Sequence, residues 1–263
     1  MNLELLIRNW ARQTLPAGIR RPVGAFCGKV RSTLLYPLMG LAFDLTGGKY
    51  KVDGCSFVIP KRLTSLAFRA SFLMNSYEED ERRLVAKYVQ PEDSVLELGA
   101  CLGIISCLTN KRLRDANRHV VVEANPYCLP YLYQNRQINR ASFLVENCAV
   151  SNERQVSFAI HPMYITGSRI ATAGNLVRVP GRRLSELIAR YGPFTVLIMD
   201  IEGGELEQLQ SCREALHDFR FILVELHESV IGSDGVERCR CVLKQAGFKM
   251  VERSYITEAW LKD

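Results

Sequence analysis

Between Tyr77 and Phe248 the chain repeats one pattern: short apolar runs without polar alternation, each followed by a stretch of helical period. The runs are Ser94–Leu98, His119–Glu123, Phe143–Val150, Thr195–Asp200 and Arg220–Leu226. A strand such as Val196-Leu197-Ile198-Met199 offers no polar face to water, so both of its faces must be covered. Helical periods fall between the runs, at Glu79–Tyr88, Ile104–Arg114, Leu129–Ile138, Leu184–Arg190, Leu206–Leu216 and Val236–Ala246. Strands alternating with helices imply an α/β fold, a mostly parallel sheet with helices on both faces. The last stretch, Phe248 to Trp260, reads as two strands around Arg253-Ser254. With 263 residues and 48% hydrophobic side chains, the chain has material for one such domain (residues 76–263) and an N-terminal extension (1–75).

The extension reads as a basic helical lead-in followed by a hairpin. In residues 49–75, Tyr50, Val52, Cys55, Phe57 and Ile59 flank Asp53-Gly54, a hairpin signal. Residues 1–31 carry net +5 of the chain's formal +6. A nucleic-acid-binding domain spreads its positive charge along the fold, so that partner is disfavoured. Leu3, Leu6, Ile7 and Trp10 share a helical face with Arg8 and Arg12 on another, which leaves two readings of this segment. It docks on the protein, or residues 1–31 make peripheral contact with an anionic membrane. The apolar stretch Thr33–Phe43 is broken by Pro37 and is short of the ~20 residues a membrane span requires. No secretory signal is read, and nine scattered cysteines without a C-x-x-C pair fit a reducing, cytoplasmic setting. The sequence leaves the oligomeric state open.

Val95-Leu96-Glu97-Leu98-Gly99-Ala100-Cys101-Leu102-Gly103 reads as a strand, a tight glycine turn and the start of a helix. Glycines let the backbone approach a ligand, and the helix then aims its first N–H groups into the crevice. Glu123 ends the next strand, where a carboxylate can accept from both ribose hydroxyls of a nucleoside. A dinucleotide site requires G-x-G-x-x-G, and here the second and third glycines are missing. Glu97 adds a negative charge beside the turn, unfavourable for a pyrophosphate and favourable for an ammonium group. S-adenosylmethionine, with its amino group, its sulfonium and no phosphate, suits these charges. A tight turn with no ligand is the plain alternative. Asn125 and Pro126 read as helix-entry or ribose-edge residues.

Asp200-Ile201-Glu202-Gly203-Gly204-Glu205 follows the fourth strand, at the carboxyl end where open α/β sheets form their crevice. Asp200 and Glu202 are candidate site residues there, and Glu205 reads as a helix cap. His227 ends the fifth strand; with an ordinary pKa near ~6.5 an imidazole can take a proton from a hydroxyl. Asp200, Glu202, Glu225, His227 and Glu228 include ligand types for a divalent metal, but spacing alone assigns none. The polar segment from His161 to Asn175 reads as a lid over an acceptor, with Tyr164 and Arg169 as contacts, or as a plain surface loop.

Five segments together resemble the FkbM-type methyltransferases. They are Glu97–Gly103; Glu123-Ala124-Asn125-Pro126 with Asn135 and Asn139; Asn147–Ser151; Met199–Glu205; and Val224-Glu225-Leu226-His227. The resemblance covers roughly Tyr77 to Phe248, and its most specific piece is the Asp-x-Glu-Gly-x-Glu string after the fourth strand. It implies a Rossmann-like class I methyltransferase fold, S-adenosylmethionine as donor, and O-methylation of a hydroxyl on a sugar, glycolipid or natural-product acceptor. By resemblance, Gly99, Ala100 and Gly103 contact the methionine part of the donor, Glu123 the ribose, and Asn147 and Cys148 the adenine. Asp200 or His227 would serve as the base. Two positions depart from the family's usual pattern: Glu97 stands for Asp, and Cys101 for Asn.

Overall fold

The computed structural model describes residues 31–160, 167–168 and 175–262. The chain divides into two compact units, one comprising the residues up to Gly48 with Ser65–Ser76, the other Lys49–Thr64 with Tyr77–Asp263. Among the described residues, no helix is long and apolar enough to cross a membrane. The expectations for residues 1–30 and for Tyr164 and Arg169 lie outside the described residues.

The smaller unit is built on helix α1 (Tyr36–Leu45) and, after the excursion of the chain through the larger unit, a second helix, Leu66–Leu73. A Cβ on Gly40 would stand 2.0 Å from the carbonyl oxygen of Leu66, so only glycine permits this close crossing. Phe43 and Phe72 close the contact, and Asp44 pairs with Arg69 at 2.9 Å.

In the larger unit, β1 (Lys49–Val52) and β2 (Cys55–Val58) form the expected antiparallel hairpin across Asp53-Gly54. The hairpin groups with residues 77–263 rather than with the lead-in, and two asparagine side chains show why. Asn139 exchanges hydrogen bonds with the backbone of Ser56, and Asn135 with that of Val58. Phe57 and Ile59 are buried behind them.

With Leu66–Leu73 as α2, the chain continues through α3 (Glu79–Tyr88), β3 (Val95–Leu98), α4 (Ile104–Arg112), β4 (His119–Val122), α5 (Leu129–Ile138) and β5 (Leu144–Glu146). Next come β6 (Ala149–Val150), β7 (Gln155–Ile160), β8 (Gly167–Ser168), β9 (Asn175–Arg182) and α6 (Leu184–Tyr191). The last part comprises β10 (Val196–Met199), α7 (Glu205–Ser211), β11 (Phe221–Glu225), α8 (Glu228–Gln245), β12 (Phe248–Ser254) and β13 (Thr257–Lys262). Seven strands join in the order β12-β13-β11-β10-β3-β4-β5. The five from β11 to β5 are parallel, and β13 runs antiparallel between β11 and β12.

The apolar runs are buried on both faces. Leu197 and Met199 join Leu96, Leu98, Ile222 and Val224 against α6, α7 and α8, while Val196 and Ile198 join Val95 and Leu223 against α3 and α4. Chain order reverses between β3 and β10, so the loops leaving those two strands flank the switch-point crevice.

Some expectations shift. The run Phe143–Val150 splits, and β6 pairs with β9 in a second sheet of order β6-β9-β7-β8 that the sequence reading did not anticipate. The last hairpin turns at Tyr255-Ile256, beyond Arg253-Ser254. The helix read at Val236–Ala246 begins at Glu228 and changes direction at Gly232, where φ is 71°.

Candidate functional site

The turn after β3 requires its glycines for two reasons. Gly99 has φ +93°, a left-handed conformation, and a Cβ there would stand 1.6 Å from the carbonyl oxygen of Asp200. Gly103 (φ +77°) would strike Leu132. The turn is fastened by Gly99 N–H donating to the Val122 carbonyl and by Asn135 donating to that of Leu102. Gly99 therefore puts the turn after β3 in direct backbone contact with the turn after β10.

Glu123 closes the neighbouring side. Its Oε2 accepts from Cys101 N–H and its Oε1 from Asn125 N–H, each at 2.6 Å. Asn147 donates to the Glu123 carbonyl at 2.7 Å, and Asn125 accepts from Tyr127 N–H in a helix-entry turn. Burial pushes the Glu123 carboxyl up to about 7, against the opposing pull of the Asn125 and Cys101 amides.

Two expected donor contacts are placed differently. Glu97 is 2% exposed, and its carboxylate is turned into the fold, one oxygen accepting from the Ser106 hydroxyl and the other 3.1 Å from His119 Nε2. A buried charge must be satisfied, and these partners engage Glu97 in holding α4 and β4 to β3. Cys148 points its side chain into the core beside Leu184 and Leu187, and burial takes its thiol to about 11.

On the other side of the crevice, His227 draws four acids together. Its Nδ1 lies 2.7 Å from Oε1 of Glu205, a wholly buried carboxylate that also accepts from Gly203 N–H. Its Nε2 faces Glu202 at 3.4 Å, Asp200 at 3.6 Å and Glu225 at 3.8 Å. Glu202 reaches this position from a left-handed backbone, φ 53°, ahead of the paired glycines. Asp200, Glu202 and His227 each offer a ligand atom within 4.8 Å of the others. Burial raises the Asp200 carboxyl well above the carboxylate range, with Glu225 adding to the rise. Burial lowers His227, but Glu205, Asp200 and Glu202 outweigh it and bring the imidazole to about 9.

The helix before β3 contributes further acids. Burial takes Glu78 to about 8, and Glu97 and Glu225 push in the same direction; Glu81 rises by burial, with Glu78, Asp200 and Glu225 adding. Tyr77 sets its hydroxyl 3.7 Å from the Cys101 sulfur. Neither Glu78 nor Glu81 is singled out by the sequence: Glu81 falls in a helix's first turn, where acids are common, and Glu78 just precedes it, so only the structure brings them near the crevice acids.

The methyltransferase FkbM domain matches residues 97–250, more than half of the chain. The chain belongs to the FkbM methyltransferase family. It is 26% identical over 161 residues to the hexuronic acid methyltransferase AglP of Haloferax volcanii, a match covering 60% of this chain. That match spans 65% of the relative's length. Among solved structures it is similar to the precorrin-6y C5,15-methyltransferase of Geobacter metallireducens, at 11% identity, 79% and 94% coverage of the two chains and TM-score 0.47. TYW2 of M. jannaschii, in complex with AdoMet, has 12% identity, 81% and 82% coverage and TM-score 0.42. The FkbM chain has the Rossmann-like class I methyltransferase fold, and the donor of this family is S-adenosylmethionine.

The residues present fit that donor. Glu123 keeps lone pairs beyond those used by the two amides, enough to accept from a ribose diol. Asp200 Oδ1 and Glu78 Oε2 are buried without a hydrogen-bond partner, within a group of carboxylates that raise one another's pKa. A sulfonium and an ammonium bring the positive charge such a group favours, and nothing in the turn is built to hold phosphate.

Proposed function

We propose that this chain is an S-adenosylmethionine-dependent O-methyltransferase whose acceptor is a hydroxyl of a sugar or another glycan-like small molecule. The observation carrying this reading is the approach of Gly99 to the Asp200 carbonyl, which leaves no room even for a Cβ. The turn assigned to the donor and the loop bearing Asp200 therefore meet backbone to backbone in one crevice, with His227 from the end of β11 beside Asp200. The named activity of AglP on hexuronic acid supports a sugar acceptor.

When bound, the donor supplies a methyl group made electrophilic by its positive sulfur. Gly99, Ala100 and Gly103 hold its methionine end, Glu123 its ribose, and Asn147 the edge of the base. Asp200 or His227 receives the proton that the acceptor hydroxyl must lose, and Glu205 fixes the ring. This requires a pH high enough to deprotonate one of them, about 9 for the imidazole. Positioned proton removal contributes about 10²–10⁴-fold, and alignment of the acceptor oxygen adds up to ~7–11 kcal/mol.

The test supplies labelled donor and uronic-acid glycosides to the purified chain. Label should appear as a methyl ether. Asp200→Asn and His227→Ala should each cut turnover by about 10²–10⁴-fold, while calorimetry shows donor binding retained in His227→Ala. Label on nitrogen or carbon, or full turnover in both variants, would overturn the assignment.

A further inference from the structure

His227 Nε2 looks at three carboxylate oxygens and hydrogen-bonds none of them. The separations of 3.4, 3.6 and 3.8 Å all exceed the ~3.2 Å limit of an N–H···O bond. The ring's one close carboxylate is Glu205, 2.7 Å from Nδ1; Nε2 has none at the ~2.7–2.9 Å of a charge-assisted bond. The spacing instead resembles that of ligands around a shared cation. With metal–ligand bonds of about 2.0–2.2 Å, neighbouring ligands of a tetrahedral ion stand roughly 3.4 Å apart.

A second observation comes from Glu205. It is wholly buried, its Oε1 takes the Nδ1–H of His227, and its Oε2 has no hydrogen-bond partner. With Nδ1 held by Glu205, Nε2 is the nitrogen directed at the other carboxylates, where a cation would take the place of its proton. Metal-binding histidines are held in this way, with the far nitrogen tied to a carboxylate that orients the ring and raises its basicity. Asp200 Oδ1, 3.6 Å from Nε2, is likewise buried without a hydrogen-bond partner.

We infer that Asp200, Glu202 and His227 form a binding site for one divalent transition-metal ion, with Glu225 beside it and Glu205 as the positioning residue behind the histidine. The imidazole suits Zn²⁺ and the carboxylates suit Mn²⁺, so this mixed set can be titrated with either ion. The role of the ion rests on the proposed function: held by these residues, it would supply Lewis acidity that lowers the pKa of the acceptor hydroxyl. With Asp200 and His227 as ligands, the proton that the proposed function gives to one of them would pass instead to Glu225, whose Oε1 accepts from the Thr257 hydroxyl.

The test uses the full chain stripped of metal by chelation, without donor or acceptor. Mn²⁺ is titrated by electron paramagnetic resonance and by calorimetry, then displaced with Zn²⁺. One equivalent should bind. His227→Ala and Glu202→Gln should each weaken binding by at least about tenfold, and Glu205→Gln by about 10–100-fold. Calorimetry with S-adenosylmethionine checks that each variant retains its fold. No binding at millimolar Mn²⁺, or equal affinity in wild type, Glu202→Gln and His227→Ala, would overturn the site. Methyl transfer is not part of the readout. A chain that binds metal but methylates nothing defeats only the proposed function, and one that methylates without binding metal defeats only this inference.

Discussion

The two walls of the crevice use carboxylates in opposite ways. On the β3–β4 side, the carboxylate oxygens of Glu97 and Glu123 are all engaged, by Ser106, His119 and two backbone amides. On the β10–β11 side, Asp200 and Glu205 each keep a buried oxygen without a partner, and His227 faces carboxylates it does not bond. A satisfied carboxylate fixes geometry. An unsatisfied one is ready for a proton or a cation, and its desolvation is costly until that arrives. One wall is thus a finished cradle, and the other is held ready for charge.

The comparison depends on the two walls touching, so separating them should have the largest effect. Gly99→Val adds a side chain where even a Cβ meets the Asp200 carbonyl at 1.6 Å, at a φ of +93°. Backbone on both sides must move, and a loss of roughly 3–5 kcal/mol is expected. Urea unfolding should show the midpoint shift, and calorimetry should show donor binding abolished. A variant with wild-type stability and affinity would mean that the two turns are not in contact.

Much of this arrangement is legible in the sequence, and the remainder has identifiable causes. Glu79–Tyr88 and Leu129–Ile138 are helices with the bounds that periodicity gives, and the non-alternating runs form the central strands. Those signals are local. The position of Glu97 is not: its carboxylate turns into the fold because Ser106, near the start of α4, and His119, on the next strand, take its two oxygens. Cys148 follows the same logic: it lies in the break between β5 and β6, which a continuous apolar run does not reveal, and its side chain joins the core. Glu78 and Glu81 are missed because an acid in or just before a helix's first turn has a sufficient local explanation, and only the fold brings α3 to the β10 loop. Glu205 is instructive for combining the roles, heading α7 as the sequence suggests while fixing His227.

A smaller effect would sharpen the account of the finished wall. Glu123, raised by burial to about 7, is largely protonated in the free protein below that pH. A ribose diol donates to the ionised form, so donor binding should release a proton there, and affinity should rise with pH until it levels off above about 7. Folding stability moves the other way: the folded pKa lies above the ordinary 4.5, so this contribution is complete below 4.5 and lost as pH rises toward 7. Glu123→Gln should weaken donor binding about tenfold, the loss of one charge-assisted bond, and flatten its pH dependence. A wild-type profile already flat from pH 5 to 8 would break the assignment.

The smallest expected effect concerns a carboxylate outside the crevice, which shows what ordinary pairing does to such a group. Glu252 on β12 takes hydrogen bonds from Lys87, Arg83 and Tyr88 of α3, and the first two hold its carboxyl down to about 2. Because the folded pKa lies below the ordinary value, its contribution is present above pH 4.5 and disappears as pH falls toward 2. The pairs are solvent-accessible, so salt should weaken them. Glu252→Gln should lower the melting temperature slightly at pH 7, less in high salt, and by a diminishing amount as the pH approaches 2. Asp200→Asn should behave oppositely. Removing a buried, raised carboxyl relieves desolvation as well as repulsion from Glu225, so the metal-free chain should be no less stable at pH 7. If both substitutions cost the same stability with the same salt dependence, the crevice acids are ordinary ion pairs, and the contrast between the two walls disappears.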